Sequence, residues 1–442
     1  MSRGTPAFRE ARSRKVAPLG SEYTEAPVWW SDEAMPPSLP VVPLPSETDV
    51  LIVGSGYTGV SAACELHARG RQATVVDKGR VGRGASTRNA GIVHPGVKPN
   101  LLRFLKKRGA FGRALYDETV RAFEYVESTI SDRKIDCDYS LAGHIQLAAK
   151  RSHVSMLREL NRVCNDELGE PSRFIPAEDL RAESGSTGYH GGLVMERSGT
   201  LDPAKYYTGM LNSARQSGAE FHEHTHVTRI EHHGSAGLLV YTSRGTIVAK
   251  DVLVATDGYT DDALRGLQRR IVPIGSYAIA TEPLAEDLAR AVSPNGRSQM
   301  DTKNFLLAWR VLPDRTLLFG GRTSFRPTTV QIAREHLYQS MLDVLPQLAG
   351  VSIVSAWGGM VGFTFDRLPH AGRHRGVTYA MGYCGSGVAL APYIGFRTGA
   401  WLAGGKPPLF AQLAFRTAPL YRGRPWFLRS VGWYYQLKDR VP

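Results

Sequence analysis

The chain has 442 residues, 42% of them hydrophobic, and a formal net charge of +13. This length can bury a sizeable core and predicts two domains. No segment approaches the ~20 uncharged apolar residues of a membrane span; the best candidate, residues 388–405, is interrupted by Arg397. The basic N-terminus lacks the apolar stretch of a secretory signal, and the four cysteines show no C-x-x-C spacing. The composition therefore predicts a cytoplasmic globular protein with reduced thiols and no transmembrane segment.

The positive charge is concentrated in the two terminal segments. Residues 1–20 carry five basic residues and one acidic residue (+4), and residues 406–442 carry seven basic residues and one acidic residue (+6). Together they hold ten of the thirteen net charges, so the body between them is nearly balanced. This distribution argues against a basic groove across the folded core, and no nucleic-acid partner is expected.

Residues 1–46 form the first predicted unit, an extended proline-rich arm. Eight prolines exclude a long helix or a central strand there. We expect Tyr23, Trp29 and Trp30 to dock on the body and the first twenty residues to be mobile.

Residues 48–91 have the pattern of a nucleotide-binding βαβ unit. An apolar run ends in Gly54-Ser55-Gly56-Tyr57-Thr58-Gly59, residues 60–69 have helical spacing, and residues 73–76 are a second apolar run that stops at Asp77. In such a unit the glycines allow a tight turn, close backbone approach to a pyrophosphate, and close packing of helix on strand. The helix N-terminus favours phosphate, and the acid can accept hydrogen bonds from ribose hydroxyls. The order of these parts predicts a dinucleotide site.

The next segment favours FAD over NAD. An NAD domain would continue into another βα repeat, whereas residues 79–91 supply small residues, hydroxyls and arginines where a second phosphate and a flavin ring could lie. Two later stretches have the same form of a strand followed by small residues: residues 251–259, which end in A-T-D-G-Y, and residues 377–389, which contain G-Y-C-G-S-G.

The remaining elements alternate between helix and strand patterns. Helices are expected over residues 101–130, 154–168, 204–217, 330–345 and from 388 to 402, and strands over 143–148, 220–230, 238–242, 246–248, 271–282, 305–311 and 316–320. A strand over 220–230 would place His222, His224 and His226 on one face, but no spaced Cys or carboxylate completes a metal set, so no metal is predicted.

The three glycine-rich stretches, in this order, resemble the D-amino-acid-oxidase-like flavoproteins, which include glycine oxidase and sarcosine oxidase. Within them the chain looks most like the gamma-glutamylputrescine oxidoreductase group. The resemblance covers residues 48–405 and implies an α/β fold: a Rossmann-type (GR2-like) FAD-binding domain with a second α+β substrate domain built on a large antiparallel sheet. The implied division is 47–135, 190–270 and 352–405 for the FAD domain, 136–189 and 271–351 for the substrate domain, and 406–442 as a basic aromatic C-terminal segment.

The resemblance also implies the residues that bind the cofactor. In the first motif and the segment after it these are Gly54, Ser55, Gly56, Tyr57, Thr58, Gly59, Asp77, Lys78, Arg83, Gly84, Ala85, Ser86, Arg88, Asn89, Ala90 and Gly91. Later in the chain they are Val227, Ala255, Thr256, Gly258, Gly382, Gly385, Ser386, Gly387 and Val388. Asn89 and Trp357 stand where some relatives tether their flavin, so non-covalent FAD is expected.

The implied reaction is oxidation of a small amine or amino acid at a C–N bond, by hydride transfer to flavin N5 followed by imine hydrolysis. Such chemistry needs alignment and a dry site more than a strong base. The expected site residues are Arg88, to stabilise charge or hold an acid group, and Tyr277, Trp309, Trp357 and Tyr383, to wall the amine in an aromatic cage. Oxygen or a quinone is the expected electron acceptor, so the protein would be an oxidase or a dehydrogenase.

Two other function classes stay open. Some relatives modify an aminomethyl base of tRNA, which the net charge of +13 would suit. The fold could also serve as a non-catalytic flavin- or protein-binding module.

Overall fold

The computed structural model describes residues 16–98, 100–322 and 328–440. Its strands, in chain order within these ranges, are β1 (Leu19–Thr24), β2 (Glu47–Val53), β3 (Ala73–Val76), β4 (Ile92–Val93), β5 (His144–Leu147), β6 (Ser172–Pro176), β7 (Gly191–Met195), β8 (Gly199–Thr200), β9 (Glu220–His222), β10 (Val227–His232), β11 (Leu238–Thr242), β12 (Gly245–Val254), β13 (Val272–Pro283), β14 (Ser298–Asp301), β15 (Leu307–Val311), β16 (Thr316–Gly321), β17 (Ile353–Phe363), β18 (His370–His374) and β19 (Val377–Met381).

The α-helices of the same ranges are α1 (Tyr57–Ala68), α2 (Leu101–Asp132), α3 (Ser152–Val163), α4 (Pro203–Gln216), α5 (Arg265–Gln268), α6 (Glu286–Val292), α7 (Val330–Val344), α8 (Gly387–Leu402) and α9 (Leu428–Arg440). Helix α2 breaks at Gly109, whose φ of 53° is not helical. None of the helices in the described part combines the length and hydropathy that a membrane span requires. The mobility expected for the first twenty residues concerns chiefly residues 1–15, which lie outside the described residues.

One sheet carries the nucleotide-binding pattern. Its strands run β10-β11-β12-β2-β3-β9, and β19 pairs with β12 and with β18. The neighbours β19, β12, β2 and β3 are parallel, so their carboxyl ends meet at one edge. Open parallel sheets bind ligands outside this edge. The pairing of the strands therefore brings together the four turns that follow them.

A second, nine-stranded sheet runs β1-β17-β13-β16-β15-β14-β5-β7-β6. Most of its pairings are antiparallel, as expected for the substrate domain, but β1–β17 and β14–β5 are parallel. Its core includes the fully buried Ile279, Phe319 and Met341, so α7 packs on this sheet.

The pairing of two strands differs from the predicted division of the chain. Strands β7 and β17 belong to the nine-stranded sheet, although residues 190–270 and 352–405 were expected in the FAD domain. Hydrophobic alternation identifies a strand but carries no information about which sheet it joins. The chain thus returns to the nucleotide-binding sheet only after β17.

The histidine-rich strand is also different from the prediction. Strand β9 ends at His222 and β10 begins at Val227, and His224 between them has a positive φ of 52°. The three imidazoles therefore do not share one face of a strand. Within the described residues no group of three His, Cys, Asp or Glu side chains is placed to hold a metal.

Helices α1 and α8 pack closely because α8 has glycines at the contact. A Cβ built on Gly395 would lie 2.3 Å from the carbonyl oxygen of Thr58, and one built on Gly399 would lie 2.7 Å from that of Ala62. This contact holds the N-termini of both helices at the carboxyl edge of the nucleotide-binding sheet. Two helix dipoles therefore present their positive ends there.

The docking of the N-terminal arm is confirmed. Trp29 is buried and lies edge-on to Trp357, with ring centroids 5.8 Å apart. The indole of Trp30 donates to the hydroxyl of Thr87 at 2.9 Å, and β1 adds to the edge of the nine-stranded sheet. The arm thereby reaches the segment that follows the nucleotide-binding motif.

Candidate active site

A cavity of about 500 Å³ lies between the two sheets. Its floor is formed by the turns after β2, β3, β12 and β19, and its other wall is formed by β13, β16 and β17. Most of the residues predicted to bind the cofactor line it: Gly54, Ser55, Gly56, Tyr57, Thr58, Asp77, Lys78, Arg83, Gly84, Ala85, Ser86, Arg88, Asn89, Ala90, Val227, Ala255, Thr256, Gly385, Gly387 and Val388.

The turn after β2 is a cradle made of backbone. Gly54 has a φ of +106°, a conformation that side chains strongly disfavour. A Cβ on Gly59 would lie 2.0 Å from the carbonyl oxygen of Gly54, and a Cβ on Gly56 would lie 2.9 Å from the hydroxyl of Ser86. The amide of Tyr57 donates to that same hydroxyl at 2.9 Å. Only glycine keeps this space free at the N-terminus of α1, which is where phosphate groups bind.

Asp77 closes the cradle on the side of β3. Its Oδ2 accepts from the amide and the hydroxyl of Ser55 at 2.9 and 2.7 Å, and its Oδ1 accepts from the amide of Gly79 at 2.9 Å. Val227 lines the same part of the cavity at the start of β10. An acid at the end of the second strand suits an adenosine ribose.

Asp257 joins two of the turns and was not assigned a role from the sequence. Its carboxylate accepts from the amide of Gly382 at 2.7 Å and from the amide of Gly362 at 3.2 Å. Burial raises the pKa of this carboxyl, and the backbone donors oppose that rise. The side chain therefore links the turn after β12 with the turn after β19 and with β17.

Five predicted residues shape the turns without lining the cavity: Gly59, Gly91, Gly258, Gly382 and Ser386. Gly91 and Gly382 leave no room for a side chain, since a Cβ would lie 2.0 Å from the carbonyl oxygen of Leu201 and 2.3 Å from Cγ2 of Thr364, respectively. Ser386 caps the N-terminus of α8 without a side-chain hydrogen bond.

Arg88 reaches the cavity from a 3₁₀ turn at Ala85–Thr87. Its Nε donates to the carbonyl of Arg83 at 3.0 Å and its Nη1 to the carbonyl of Gly358 at 2.9 Å. The guanidinium carbon lies 4.3 Å from the ring centroid of Trp30. Burial lowers the pKa of Arg88. The charge is thus held by backbone carbonyls and an aromatic face, a stack that suits guanidinium better than ammonium.

These residues fit FAD: two adjacent helix N-termini, a cradle that added side chains would fill, and an acid at the end of β3. The sequence model of the family described as FAD dependent oxidoreductase (DAO) matches residues 49–401. The chain belongs to the DAO family. FAD is therefore its cofactor, and the DAO-family chain is an FAD-dependent oxidoreductase.

Relatives agree with this assignment along most of the chain. The DAO-family chain is 32% identical over 422 residues to the probable oxidoreductase OrdL of Rhizobium meliloti (strain 1021), covering 93% of this chain and 97% of the relative. It is 30% identical over 399 residues to the gamma-glutamylputrescine oxidoreductase of Escherichia coli (strain K12), covering 89% and 93%. The crystal structure of glycine oxidase from Geobacillus kaustophilus matches with a TM-score of 0.69 at 20% identity, covering 85% and 99%. The predicted fold class and family are confirmed.

The aromatic residues expected around the substrate are divided between cavity and core in this DAO-family protein. Tyr277 and Tyr383 line the cavity. Tyr277 donates to the carbonyl of Thr328 at 3.0 Å, and the Tyr383 hydroxyl lies 2.6 Å from that of Thr58. Burial raises the pKa of Tyr383, so its hydroxyl stays protonated.

The two tryptophans lie behind the wall, not in it. Trp309 is 1% exposed and stacks on Phe319 at 5.7 Å between centroids. Trp357 is 1% exposed, and its Nε1 donates to the carbonyl of Arg88 at 3.0 Å. Both side chains lie on the face of their strand, β15 or β17, that is turned away from the cavity. The sequence alone did not reveal which face this would be. Neither can touch a ligand, although Trp357 supports Arg88.

Lys98 and Arg322 also line the cavity, and the sequence analysis did not single them out. Burial is the main reason that the pKa of Lys98 falls to about 8, and Arg322 and Arg367 lower it further. Cys384 lies near both cations, and burial raises the pKa of its thiol to about 12. The thiol is therefore protonated and no nucleophile. A signal for both cations existed in the sequence, since each follows a glycine-containing stretch at the end of a strand.

Proposed function

We propose that the protein oxidises the C–N bond of a small amine or amino acid. The substrate carbon that bears the nitrogen would give a hydride to N5 of the flavin. The resulting imine would then hydrolyse to a carbonyl compound. The observation that carries this proposal is a single cavity that begins in a glycine cradle for phosphates and continues into a chamber walled by Tyr277, Phe363 and Leu306. The printed names of the relatives, gamma-glutamylputrescine oxidoreductase and glycine oxidase, support the substrate class.

The cradle residues are proposed to hold FAD without a covalent bond. Backbone amides at the N-termini of α1 and α8 would bind the phosphates and the ring, and Asp77 the ribose. Acid denaturation should then release all of the flavin as FAD. Flavin that stayed with the precipitated chain would contradict a non-covalent site.

Arg88 is proposed to stabilise the negative charge that develops during hydride transfer. Its guanidinium lines the cavity and is fixed by two carbonyl acceptors and by Trp30. A fixed donor needs no reorganisation during the reaction, which is how oxyanion-hole groups act. Trp357 would act as a positioning residue, because its hydrogen bond holds the backbone of Arg88.

Tyr277 and Tyr383 are the aromatic residues proposed to contact the amine. Both line the cavity, and aromatic faces attract a cationic amine before it loses its proton. Trp309 and Trp357 would not contact the amine, because their side chains lie in the core.

A cytoplasmic location and transfer of electrons to oxygen or a quinone complete the proposal. The four cysteines are unpaired, as a reducing compartment would keep them.

Anaerobic reduction of the bound flavin tests the function. The holoenzyme is mixed without oxygen with a panel of amines and amino acids, and flavin absorbance near its visible maximum is followed. We expect at least one compound to bleach the flavin rapidly and to yield the corresponding carbonyl product. If no compound of either class bleaches a fully loaded protein, the chain is a flavin-binding module and the proposed oxidation is wrong.

A further inference from the structure

Helix α9 packs on the wall of the chamber through one of its faces. Leu428, Val431 and Tyr435 recur along the helix at helical spacing and lie on that face. They share a hydrophobic cluster with Ile274 and Phe363, which line the cavity. A helix with its side chains is ~10 Å across, so the opposite face of α9 lies about that distance outside the chamber wall.

The acidic residue of α9 is turned towards the body of the protein. Asp439 accepts from the backbone amide of Asn304 at 3.0 Å, from its side-chain amide at 2.7 Å, and from the backbone amide of Phe305 at 2.9 Å. These bonds attach the end of the helix to the connection between β14 and β15. Asp439 is also the only acidic residue in the sequence from 406 to 442, so no carboxylate of this segment balances the cations that face outwards.

The outer face of α9, turned away from the body, combines large apolar side chains with basic ones. Trp433 is 70% exposed and Leu437, one turn further on, is 51% exposed. Tyr434 is exposed beside them, and the flanking charges are the exposed Arg429 and Lys438. The turn before the helix adds four more exposed residues of the same two kinds, Leu420, Arg422, Arg424 and Trp426.

This combination suits the interface between water and an anionic bilayer. Tryptophan and tyrosine are enriched at the level of the headgroups, and basic residues next to them attract anionic lipids. A helix that lies in the plane of the membrane surface inserts its apolar side chains between the headgroups, and binding grows with the apolar area and with the positive charge.

Two other partners fit the same surface less well. A second copy of the chain would bring the net charge of +6 carried by residues 406–442 against an equal charge. Single-stranded nucleic acid binds to basic grooves by stacking bases on aromatic rings, and the aliphatic Leu420 and Leu437 offer no ring for stacking.

We propose that the outer face of α9, together with the turn before it, binds an anionic membrane surface. The inference goes beyond the proposed function and does not depend on it, because lipid binding requires no reaction at the flavin. Docking places α9 between the headgroups and the chamber wall, so the chamber lies about one helix diameter (~10 Å) from the lipid.

Sedimentation with lipid vesicles tests the proposal. The holoprotein is mixed at low salt with vesicles that contain phosphatidylglycerol and phosphatidylcholine in equal parts, or phosphatidylcholine alone. We expect the wild type to bind the anionic vesicles much more tightly than the neutral ones. Trp433→Ser combined with Leu437→Ser should weaken this binding about 10- to 100-fold, because less apolar area enters the interface. Arg429→Gln combined with Lys438→Gln should weaken it about 25-fold, at about 5-fold for each cation.

Matched controls remove the same kinds of side chain elsewhere. Lys107→Gln combined with Arg215→Gln removes two exposed cations, on α2 and α4, and Ile332→Ser removes an exposed apolar side chain on α7. Both controls should bind the anionic vesicles nearly as the wild type does. All of these substitutions are at exposed positions outside the cavity lining, so every variant should keep its FAD.

Fluorescence quenching distinguishes insertion from the general attraction of a positively charged protein to anionic lipid. Bromine atoms on the acyl chains quench indoles that enter the bilayer. Anionic vesicles with brominated chains should therefore quench part of the wild-type tryptophan emission. Trp426→Phe combined with Trp433→Phe should abolish most of this quenching.

Three results would overturn the proposal. One is that the wild type binds anionic vesicles no better than neutral ones. Another is that Trp433→Ser combined with Leu437→Ser binds them with wild-type affinity, which would attribute the binding to charges elsewhere. The last is that the wild type binds a single-stranded oligonucleotide, or forms a dimer, without competition from vesicles, and that this variant loses that binding. The outer face would then belong to that partner.

Discussion

The two ends of the cavity are built in different ways. The cradle end consists of backbone and small residues between Gly54 and Asp77, from one continuous βαβ unit. The chamber end consists of side chains from distant parts of the chain, including Arg88, Tyr277 and Arg322. A backbone site tolerates many side-chain changes but not an added Cβ at its glycines. A side-chain site depends on each group and on whatever holds it in place.

The largest effect is expected at the cradle, from Gly56→Val. The branched side chain would occupy the space beside Ser86 where backbone must approach a phosphate. The variant should purify without flavin while its circular dichroism stays close to that of the wild type.

Ala68→Val is the control for this variant. It adds a branched side chain at the exposed far end of α1, outside the cavity lining, so flavin should be retained. Normal flavin content in Gly56→Val would show that this turn does not hold the phosphates, and the contrast between the two ends would fail.

Arg88→Ala is expected to have the next largest effect. It should lower the rate of flavin reduction and leave FAD binding unchanged. Losing one fixed donor to developing charge costs roughly 10²–10³ in turnover, so anaerobic flavin reduction should slow by about that factor. FAD should still bind, because backbone holds the phosphates.

Arg88→Lys should recover only part of the rate, because ammonium cannot occupy both carbonyl contacts and the Trp30 face in the same way. If Arg88→Ala instead loses FAD while its remaining holoenzyme is reduced at the normal rate, Arg88 is a phosphate ligand and belongs to the cradle.

Asp257→Asn tests the connection between the turns. An amide can accept through one oxygen only, so the amide of Gly362 or Gly382 would lose its acceptor and face a second donor. Leaving a buried donor unsatisfied costs about 1–3 kcal/mol, and asparagine tolerates the positive φ of 42° at this position. Urea unfolding of the holoprotein should therefore show a free energy of unfolding lower than that of the wild type by about 1–3 kcal/mol.

Asp261→Asn is the comparison for this variant. Its carboxylate lies in a partly exposed ion pair with Lys78, and such pairs contribute about 0–1 kcal/mol. Equal losses in the two variants would argue that Asp257 does not link the turns.

The smallest effect is expected from the tryptophans behind the chamber wall. Trp357→Phe removes the hydrogen bond to the carbonyl of Arg88, whose net contribution is about 0.5–1.5 kcal/mol. Flavin reduction should slow about 2- to 10-fold with the substrate affinity little changed.

Trp309→Phe should leave the rate of flavin reduction unchanged. Trp309 stacks in the core and its Nε1 has no hydrogen-bond partner among the described residues, so the expected loss is about 1–2 kcal/mol of stability. A large rate effect of Trp309→Phe, with none from Trp357→Phe, would reverse the assignment of the two side chains.

The cradle was predictable because its determinants are adjacent in the sequence. Gly54, Gly56 and Asp77 have fixed spacing, and the constraints on them are constraints on backbone conformation and close approach. The same reasoning failed for His224, because a turn between β9 and β10 interrupts the expected strand.

The sequence by itself determined the nucleotide-binding unit, the family and hence FAD, because these follow from local backbone requirements repeated in a fixed order. Only the tertiary structure decided that β7 and β17 join the nine-stranded sheet, that Trp309 and Trp357 face the core, and that Lys98 and Arg322 line the same cavity. A strand pattern alternates between two faces but does not say which face meets which sheet. The substrate chamber therefore depends on long-range packing, which no short stretch of the sequence specifies.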